Sequence, residues 1–293
     1  MKLKLNVLAT FLCALFVLAS CGGGKSDKDD KKKAFDDAKT LEEEITHLVS
    51  EDFPRPSEIP YLVMQTGADY NQSLINSRQG IDSYMANPEK SALNLGVYAA
   101  DMGYLASYDK TQESIEYFNS CKQLADELGI IQGFDPAMVK RVETNIGQRD
   151  SLTKVLDEAV GKAAIYVKSQ YSKTGALIIT GSFVESLFLA TGIIKTYPKT
   201  AYKDAVLVEL TKMVIKQSSS VDEVLQMLNN SKIEKTETVN MLIKDFTELQ
   251  ESYVPLKELQ ARIAKGDPKL TFNDQTLAGA TKSIEKIRAN IVK

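Results

Sequence analysis

Two stretches of the chain decide its fold: residues 91–108 read SALNLGVYAADMGYLASY, and residues 175–192 read GALIITGSFVESLFLATG. Each stretch contains a single charged residue, Asp101 in the first and Glu185 in the second. A helix that is apolar on nearly all sides is normally buried in the middle of a bundle. We therefore expect two central helices. The second is apolar enough to pass for a marginal membrane span, but a carboxylate at a bilayer centre costs about 2.5 kcal/mol or more, which favours the bundle core.

The two stretches also align with each other without a gap. At one constant offset, Asp101 matches Glu185, residues 92–93 match 176–177, and residues 104–107 match 188–191. A true internal repeat would give two pseudo-symmetric helical halves with the two carboxylates at equivalent inward positions. Chance similarity between two apolar helices is the alternative, because the neighbouring segments do not align.

A carboxylate inside a bundle must be hydrogen-bonded, paired with a cation or protonated. One interpretation is that tyrosine, hydroxyl or basic side chains of the protein satisfy each carboxylate. The other is that both carboxylates line a cavity that binds a small molecule or a cation. The residues of this candidate site are Asp101, Glu185, Tyr98, Tyr104, Tyr108, Asn94 and Ser182. The ligand hypothesis requires the two carboxylates to meet at a common pocket.

The rest of the body is also helical in pattern. Apolar residues recur at i, i+3 and i+4 through most segments, and no segment sustains the period-two alternation of a strand. The sequence therefore predicts an all-α, compact bundle of about ten helices, with starts near residues 40, 57, 88, 110, 135, 150, 174, 201, 220, 236 and 272. A tetratricopeptide-like solenoid is disfavoured, because the 34-residue period and its tryptophan are missing.

The C-terminal third reads as a helical hairpin. A heptad-like apolar register runs from Val239 to Ile263, Pro255 should kink this helix, and residues 266–268 should end it. A second apolar stripe, from Leu277 to Ile291, returns along it. A sub-boundary near residues 218–235 is left open within the helical domain, which we assign to residues 40–293.

The N-terminus has the layout of a secretory signal. Lys2 and Lys4 precede an apolar run from Leu5 to Leu18, and the small residues Ala19 and Ser20 follow. The apolar run spans about 14 residues, fewer than the ~20 that cross a bilayer as a helix. We therefore expect removal of residues 1–20.

Leu18-Ala19-Ser20-Cys21 resembles the lipobox of bacterial lipoproteins, in which the cysteine thiol carries diacylglycerol and the peptidase cuts before it. The resemblance implies that Cys21 is the lipidated N-terminus and that a membrane is one partner of the protein. The alternative is an ordinary signal peptide followed by an incidental cysteine.

Residues 21–39 contain mixed charges and almost nothing apolar, so we expect a disordered tether. Its mean reach is roughly 20 to 25 Å. A glycine run followed by acidic residues resembles surface or outer-membrane lipoproteins of the Bacteroidota, which implies an outer-membrane anchor with the domain on the periplasmic or cell-surface face. Residues 93–130 also resemble uncharacterised helical lipoproteins of that phylum, to which no activity is attached.

The composition of the chain limits the functions that it can have. The formal net charge is −3, and loss of two lysines with the signal makes the mature chain more acidic, which argues against nucleic-acid binding. Of three cysteines, Cys13 leaves with the signal and Cys21 is lipidated. Cys121 therefore cannot form an intramolecular disulfide. It lies on an apolar helix face, where we expect an inert buried thiol.

Catalytic and cofactor signals are missing. His47 is the only histidine, so a conventional zinc site cannot be built, and no metalloprotease, hydrolase or nucleotide-binding motif occurs. We expect no metal, no cofactor and no enzyme activity. A hydrolase that uses Asp101 and Glu185 as paired carboxylates is a remote alternative.

The leading hypothesis is an envelope lipoprotein whose non-catalytic helical domain binds a partner protein or scaffolds an assembly. The alternative is a lipoprotein that binds a small molecule or cation at Asp101 and Glu185.

Overall fold

The computed structural model describes residues 58–130, 136–145, 173–197 and 204–293, apart from Pro268 and Asp274, with isolated positions between 148 and 158. These residues belong to one compact unit, Glu44–Lys293. The lipobox, the tether, His47 and the helix expected near residue 40 lie outside the described residues, as does most of the helix expected near residue 150.

The described part of the chain is all-α, and it contains no strand. Its α-helices are α1 (Glu58–Gln65), α2 (Ile81–Met85), α3 (Pro88–Ser107), α4 (Thr111–Glu127), α5 (Pro136–Asn145), α6 (Lys173–Thr196), α7 (Ala205–Lys216), α8 (Ser218–Asn229), α9 (Glu237–Tyr253), α10 (Lys257–Ala264) and α11 (Ala278–Ile291). Short 3-10 turns occupy Gln72–Leu74, Arg78–Gly80 and Val254–Leu256. The prediction of an all-α bundle is confirmed.

Most predicted helix starts agree with the structure to within two residues. Two are too early: the helices expected near residues 201 and 272 begin at Ala205 and Ala278. Asp204 is the N-cap of α7, and its side chain accepts a hydrogen bond from the Val206 amide. Before α11, Asn273 accepts from the Gln275 amide, so a turn occupies the residues where the helix was expected.

The two apolar stretches form α3 and α6, which are the central pair of the bundle. They approach so closely that a Cβ atom added to Gly96 would lie 2.1 Å from the Ile178 carbonyl oxygen. A Cβ atom added to Gly181 would lie 2.0 Å from the Leu93 carbonyl oxygen. The glycines therefore allow the two backbones to touch. Lys173 pairs with Glu89 near the start of both helices, and Asp101 meets Glu185 further along both, so α3 and α6 run parallel.

The predicted helical hairpin is formed by α9, α10 and α11. Pro255 lies in the 3-10 turn that separates α9 from α10, because proline cannot donate the hydrogen bond that would continue α9. The apolar faces of α9 and α11 share the main core with α6. Within residues 218–235, α8 contributes Val221, Val224 and Leu228 to the same core.

Residues 66–80 form a connector between α1 and α2 that lies along α3. Its backbone makes two short 3-10 turns, and Asn71 and Ser77 cap them with their side chains. Long stretches of it lack helical hydrogen bonds. Its polar backbone groups therefore need partners from elsewhere, and α3, α4 and α11 supply them.

One described helix, α6, is long and apolar enough to cross a membrane, with a mean hydropathy of 1.9 over an 18-residue window. Of that window, 83% is buried inside the bundle. A helix in the core of a bundle can be as long and as apolar as a helix that crosses a membrane.

The possible internal repeat extends over α3 and α6 but not over the helices next to them. Asp101 and Glu185 do lie at facing, inward positions, as the alignment predicts. However, α4 packs along much of α3, whereas α7 meets α6 over a short stretch only. The neighbouring helices therefore do not repeat the arrangement.

We predict that Gly96→Ala and Gly181→Ala each lower the free energy of unfolding by about 1 to 3 kcal/mol or more, because each new methyl group meets backbone atoms and forces α3 and α6 apart. Gly279→Ala in α11 is the matched control. Its Cβ would meet only Ser252 Cβ at 3.6 Å, so the change should be neutral or stabilise the helix by up to about 1 kcal/mol. Urea unfolding measures all three. Equal effects at the three positions would contradict the close packing of α3 on α6.

Candidate functional site

Asp101 and Glu185 meet at the centre of the bundle. Both side chains are fully buried, and their carboxyl groups lie within hydrogen-bonding distance of each other. The parallel packing of α3 on α6 places the two carboxylates opposite one another. The ligand hypothesis required the two acids to meet, and the structure brings them together, although in direct contact with each other.

Arg288 of α11 completes a charged cluster with them. Its Nε donates to Glu185 Oε2 at 2.9 Å and its Nη2 donates to Glu185 Oε1 at 3.1 Å. The guanidinium also packs over the Phe188 ring, with its carbon 4.3 Å from the ring centroid. We call Asp101, Glu185 and Arg288 the polar centre. A bidentate pair in a buried setting fixes both geometry and charge.

The polar centre contains two acids and one base. Burial raises the pKa of Asp101 well above its usual range, and the neighbouring Glu185 carboxylate raises it further. Burial also raises the pKa of Glu185, although the charge and hydrogen bonds of Arg288 oppose that rise. Two carboxylate oxygens can share a hydrogen bond only when one of them carries a proton. Asp101 is the acid without a cation in direct contact, so we assign the proton to it.

One Asp101 oxygen has a fixed partner in the connector. Oδ2 accepts a hydrogen bond from the Asn76 amide at 3.0 Å, whereas Oδ1 receives no donor in the described structure. An unpaired, buried oxygen is costly if it is charged and inexpensive if it carries a proton that it donates to Glu185. The hydrogen bonding therefore agrees with a protonated Asp101.

The three tyrosines of the predicted site form hydrogen bonds with the backbone of the connector. Tyr98 donates to the Ser77 carbonyl at 3.0 Å, and Tyr108 donates to the Ala68 carbonyl at 2.6 Å. Between them, Tyr104 accepts a hydrogen bond from the Asn71 amide at 2.9 Å. Tyr98 and Tyr104 are fully buried and Tyr108 is half-buried. Each hydroxyl thus forms a hydrogen bond with a backbone group of the connector.

Asn94 and Ser182, the remaining predicted site residues, are buried in the same region. Asn94 Nδ2 donates to the Ile291 carbonyl of α11 at 2.9 Å and to the Lys90 carbonyl at 3.0 Å. Asn94 Oδ1 and Ser182 Oγ have no hydrogen-bond partner among the described residues. Together with Asp101 Oδ1, they are three buried oxygens without a protein donor.

Sequence reasoning missed Arg288 and Asn76. Arg288 stands on the buried side of α11, one turn after Ile284 and directly after Ile287. A basic residue beside the apolar stripe of a helix indicates a cation that faces the core, and this signal is present in the sequence around Arg288. Asn76 lies in the connector, and it donates its backbone N–H to Asp101 and accepts a hydrogen bond from Tyr117 at 2.5 Å on its carbonyl. No local pattern marks it.

The geometry restricts the chemistry of this centre. Paired-carboxylate hydrolysis places substrate or water between acids about 5 to 9.5 Å apart, whereas Asp101 and Glu185 are in direct contact and have no exposed surface. Burial also raises the pKa of the Cys121 thiol, which keeps it in its unreactive protonated form. Within the residues that the structure describes, no cluster of three or more His, Cys, Asp or Glu side chains could hold a metal.

Comparison with protein-family models, characterised proteins and solved structures finds no match for this chain.

We predict that Arg288→Met lowers the free energy of unfolding by about 3 to 5 kcal/mol, because it leaves Glu185 as a buried charge without a partner. The double variant Glu185→Met with Arg288→Met should recover most of that loss, since apolar side chains replace both charges. Chemical denaturation at neutral pH measures both variants.

Lys195→Met is the matched control for Arg288→Met. Lys195 pairs with Glu285 across the same two helices at 2.6 Å, but both side chains are exposed. Its removal should change stability by less than about 1 kcal/mol. If Arg288→Met costs no more than Lys195→Met, the polar centre does not have the role assigned to it.

Proposed function

We propose that the protein is a membrane-anchored lipoprotein of the cell envelope whose helical domain is non-catalytic and binds a partner protein or scaffolds an assembly. The observation that carries this proposal is the closure of the polar centre. The buried carboxyl, guanidinium and tyrosine hydroxyl groups contact one another or the backbone of the connector. Recognition is thereby left to the outer surface of the bundle.

The location in this proposal comes from the N-terminal sequence. The lipobox ending at Cys21 supplies the anchor, and the charged segment 21–39 supplies a spacer between membrane and domain. We propose an outer-membrane anchor, with the domain on the periplasmic or cell-surface side. Lipid attachment would keep the domain near envelope partners, which raises their effective concentration without new contacts.

The proposed partner surface is polar. Among the described residues, three large apolar side chains are substantially exposed: Ile115, Met241 and Val254. Ile115 lies on α4, whereas Met241 and Val254 lie near opposite ends of α9. Single exposed apolar residues are ordinary on a protein surface. Charged and polar side chains would therefore supply most of the contacts to a partner.

A second candidate function is the binding of a small molecule or cation next to the polar centre. The observation that favours it is a pair of buried oxygens, Asn94 Oδ1 and Ser182 Oγ, that have no hydrogen-bond partner among the described residues. A small donor-rich guest would satisfy such oxygens. An internal water molecule would do the same.

We predict that Cys21 carries the lipid. Metabolic labelling with a palmitate analogue, followed by mass spectrometry of the N-terminal peptide, should find the label on the wild type and on Cys121→Ser. The label should be lost in Cys21→Ser, because that variant lacks the thiol that receives diacylglycerol. Cys121 is the matched control, since it is the other cysteine that remains in the proposed mature chain. Label that persists in Cys21→Ser would refute the anchor.

Partner binding is tested by crosslinking the tagged, full-length lipoprotein in its own membrane. We expect one discrete protein adduct from the wild type, and a weaker adduct from Cys21→Ser because that variant is not held at the membrane. Native mass spectrometry of the purified protein tests the second candidate. A stoichiometric small molecule without any protein adduct would overturn the leading proposal in favour of the second.

A further inference from the structure

Positive charge is concentrated in the C-terminal part of the chain. Residues 254–293 contain eight basic and four acidic residues, whereas the whole chain contains 36 basic and 39 acidic residues. The chain before residue 254 is therefore acidic, and the excess of positive charge lies in α10, α11 and the turns next to them. A separation of charge of this kind indicates a surface that attracts anions.

Four lysines close to α10 have no acidic partner. Elsewhere in the described bundle several basic side chains are neutralised, as Lys195 is by Glu285 at 2.6 Å. The four lysines are exposed, and within the described structure no acid forms a salt bridge with them. We call them the lysine face, and they are Lys216, Lys257, Lys265 and Lys269.

The solvent side of α10 carries two of these lysines in line. Lys257, Ala261 and Lys265 follow one another at intervals of four residues, so they lie on one side of the helix, and all three are exposed. Leu259 and Ile263 pack against the main core from the opposite side. The lysines of α10 are therefore directed away from the bundle.

The other two lysines lie near the two ends of α10. After its C-terminal end, Arg262 Nη2 donates a hydrogen bond to the Lys269 carbonyl at 3.3 Å, which holds this turn against the helix. At the other end, the hydroxyl of Tyr253 donates to the Val214 carbonyl at 3.1 Å. Val214 stands two residues before Lys216, the last residue of α7. These contacts bring the four lysines to one region of the surface.

Few acidic side chains oppose the lysine face. Asp267 is paired with Arg262 at 2.8 Å, so the charges of these two residues balance each other. Glu258 on α10 and Glu251 on α9 are exposed, and they are the nearby acids that remain. Because four lysines face two glutamates, the surface keeps a net positive charge.

An exposed apolar turn adjoins the lysine face. Val254 has 55% of its surface exposed, the largest value among the exposed large apolar side chains of the described residues, and Pro255 is exposed beside it. Both residues belong to the 3-10 turn that leads directly into Lys257. Exposed apolar side chains next to lysines are suited to the boundary between the headgroups and the acyl chains of a bilayer.

We propose that the lysine face binds the anionic headgroups of phospholipids, with Val254 and Pro255 at headgroup level, and so orients the bundle on the membrane that holds Cys21. Lysine is a compact point charge, which suits the spread charge of a lipid surface, whereas bidentate recognition of a single carboxylate or phosphate favours arginine. This inference deepens the proposed anchoring at Cys21 and rests on it for the location of the protein.

The expected strength of the contact is consistent with this role. A lysine near an anionic membrane surface strengthens binding by about fivefold. A few lysines alone therefore give weak, reversible binding. The lipid on Cys21 would hold the bundle at the membrane, so that even a weak contact is enough to fix which side of the bundle faces the lipid.

Sedimentation with vesicles tests the lysine face. The protein is the mature chain, residues 21–293, with Cys21→Ser, so that no lipid is attached and binding measures the protein surface alone. We expect binding to vesicles of phosphatidylcholine and phosphatidylglycerol, and none to phosphatidylcholine alone. Raising the ionic strength from about 0.05 M to about 0.5 M should weaken the binding, because salt screens exposed charges.

The triple variant Lys257→Gln, Lys265→Gln, Lys269→Gln should bind the anionic vesicles about fivefold less for each lysine, or roughly a hundredfold less in all. The matched control changes net charge equally by removing three lysines from the surfaces of α4, α5 and α6, and it should bind like the wild type. It is Lys122→Gln, Lys140→Gln, Lys195→Gln.

Three results would overturn the lipid contact: equal binding to both kinds of vesicle, binding to neither, and unchanged binding of the triple variant. Tighter binding of the lysine face to a polyglutamate peptide than to the anionic vesicles would also overturn it, and would assign the surface to an acidic protein partner. The label on Cys21 is measured separately. Absence of that label together with normal vesicle binding would refute the anchor and leave the lysine face supported.

Discussion

The structure depends on placing two carboxyl groups and one guanidinium in a space without water. The glycines of α3 and α6 bring the two helices into backbone contact, and that approach sets Asp101 against Glu185. Such a contact is tolerable only because Arg288 neutralises Glu185 and a proton neutralises Asp101. The connector supplies the Asn76 amide, and α11 supplies the arginine that covers the centre.

Much of the fold could be predicted from sequence, because helical periodicity is a local signal. The starts of α3, α4, α6 and α9 follow from apolar spacing, and Pro255 marks the break between α9 and α10. The pairing of Asp101 with Glu185 could also be predicted, since each is the lone charge on an apolar helix. The long-range contacts could not. Arg288 lies 103 positions from Glu185 in the chain, and only the packing of α11 reveals which acid it meets.

The tyrosines show why the candidate site was harder to interpret than the fold. Their residue types suit a ligand pocket, but their hydroxyl groups bond to the backbone of the connector. A sequence displays the polar side chains that a helix carries inward. It does not show that an irregular segment elsewhere needs the same hydrogen bonds. The charged groups of the polar centre therefore have partners within the protein itself, and the leading proposal depends on the outer surface and the lipid anchor.

Asp101 is a neutral acid in the folded protein, and infrared spectroscopy can detect its proton. At neutral pH, the difference spectrum between wild type and Asp101→Asn should contain the carbonyl stretch of a protonated carboxylic acid. The difference spectrum between wild type and Asp82→Asn, which removes an exposed acid of α2, should not contain that band. If the wild type has no protonated carboxylic acid band, or if the band is unchanged in Asp101→Asn, the account of the polar centre is wrong.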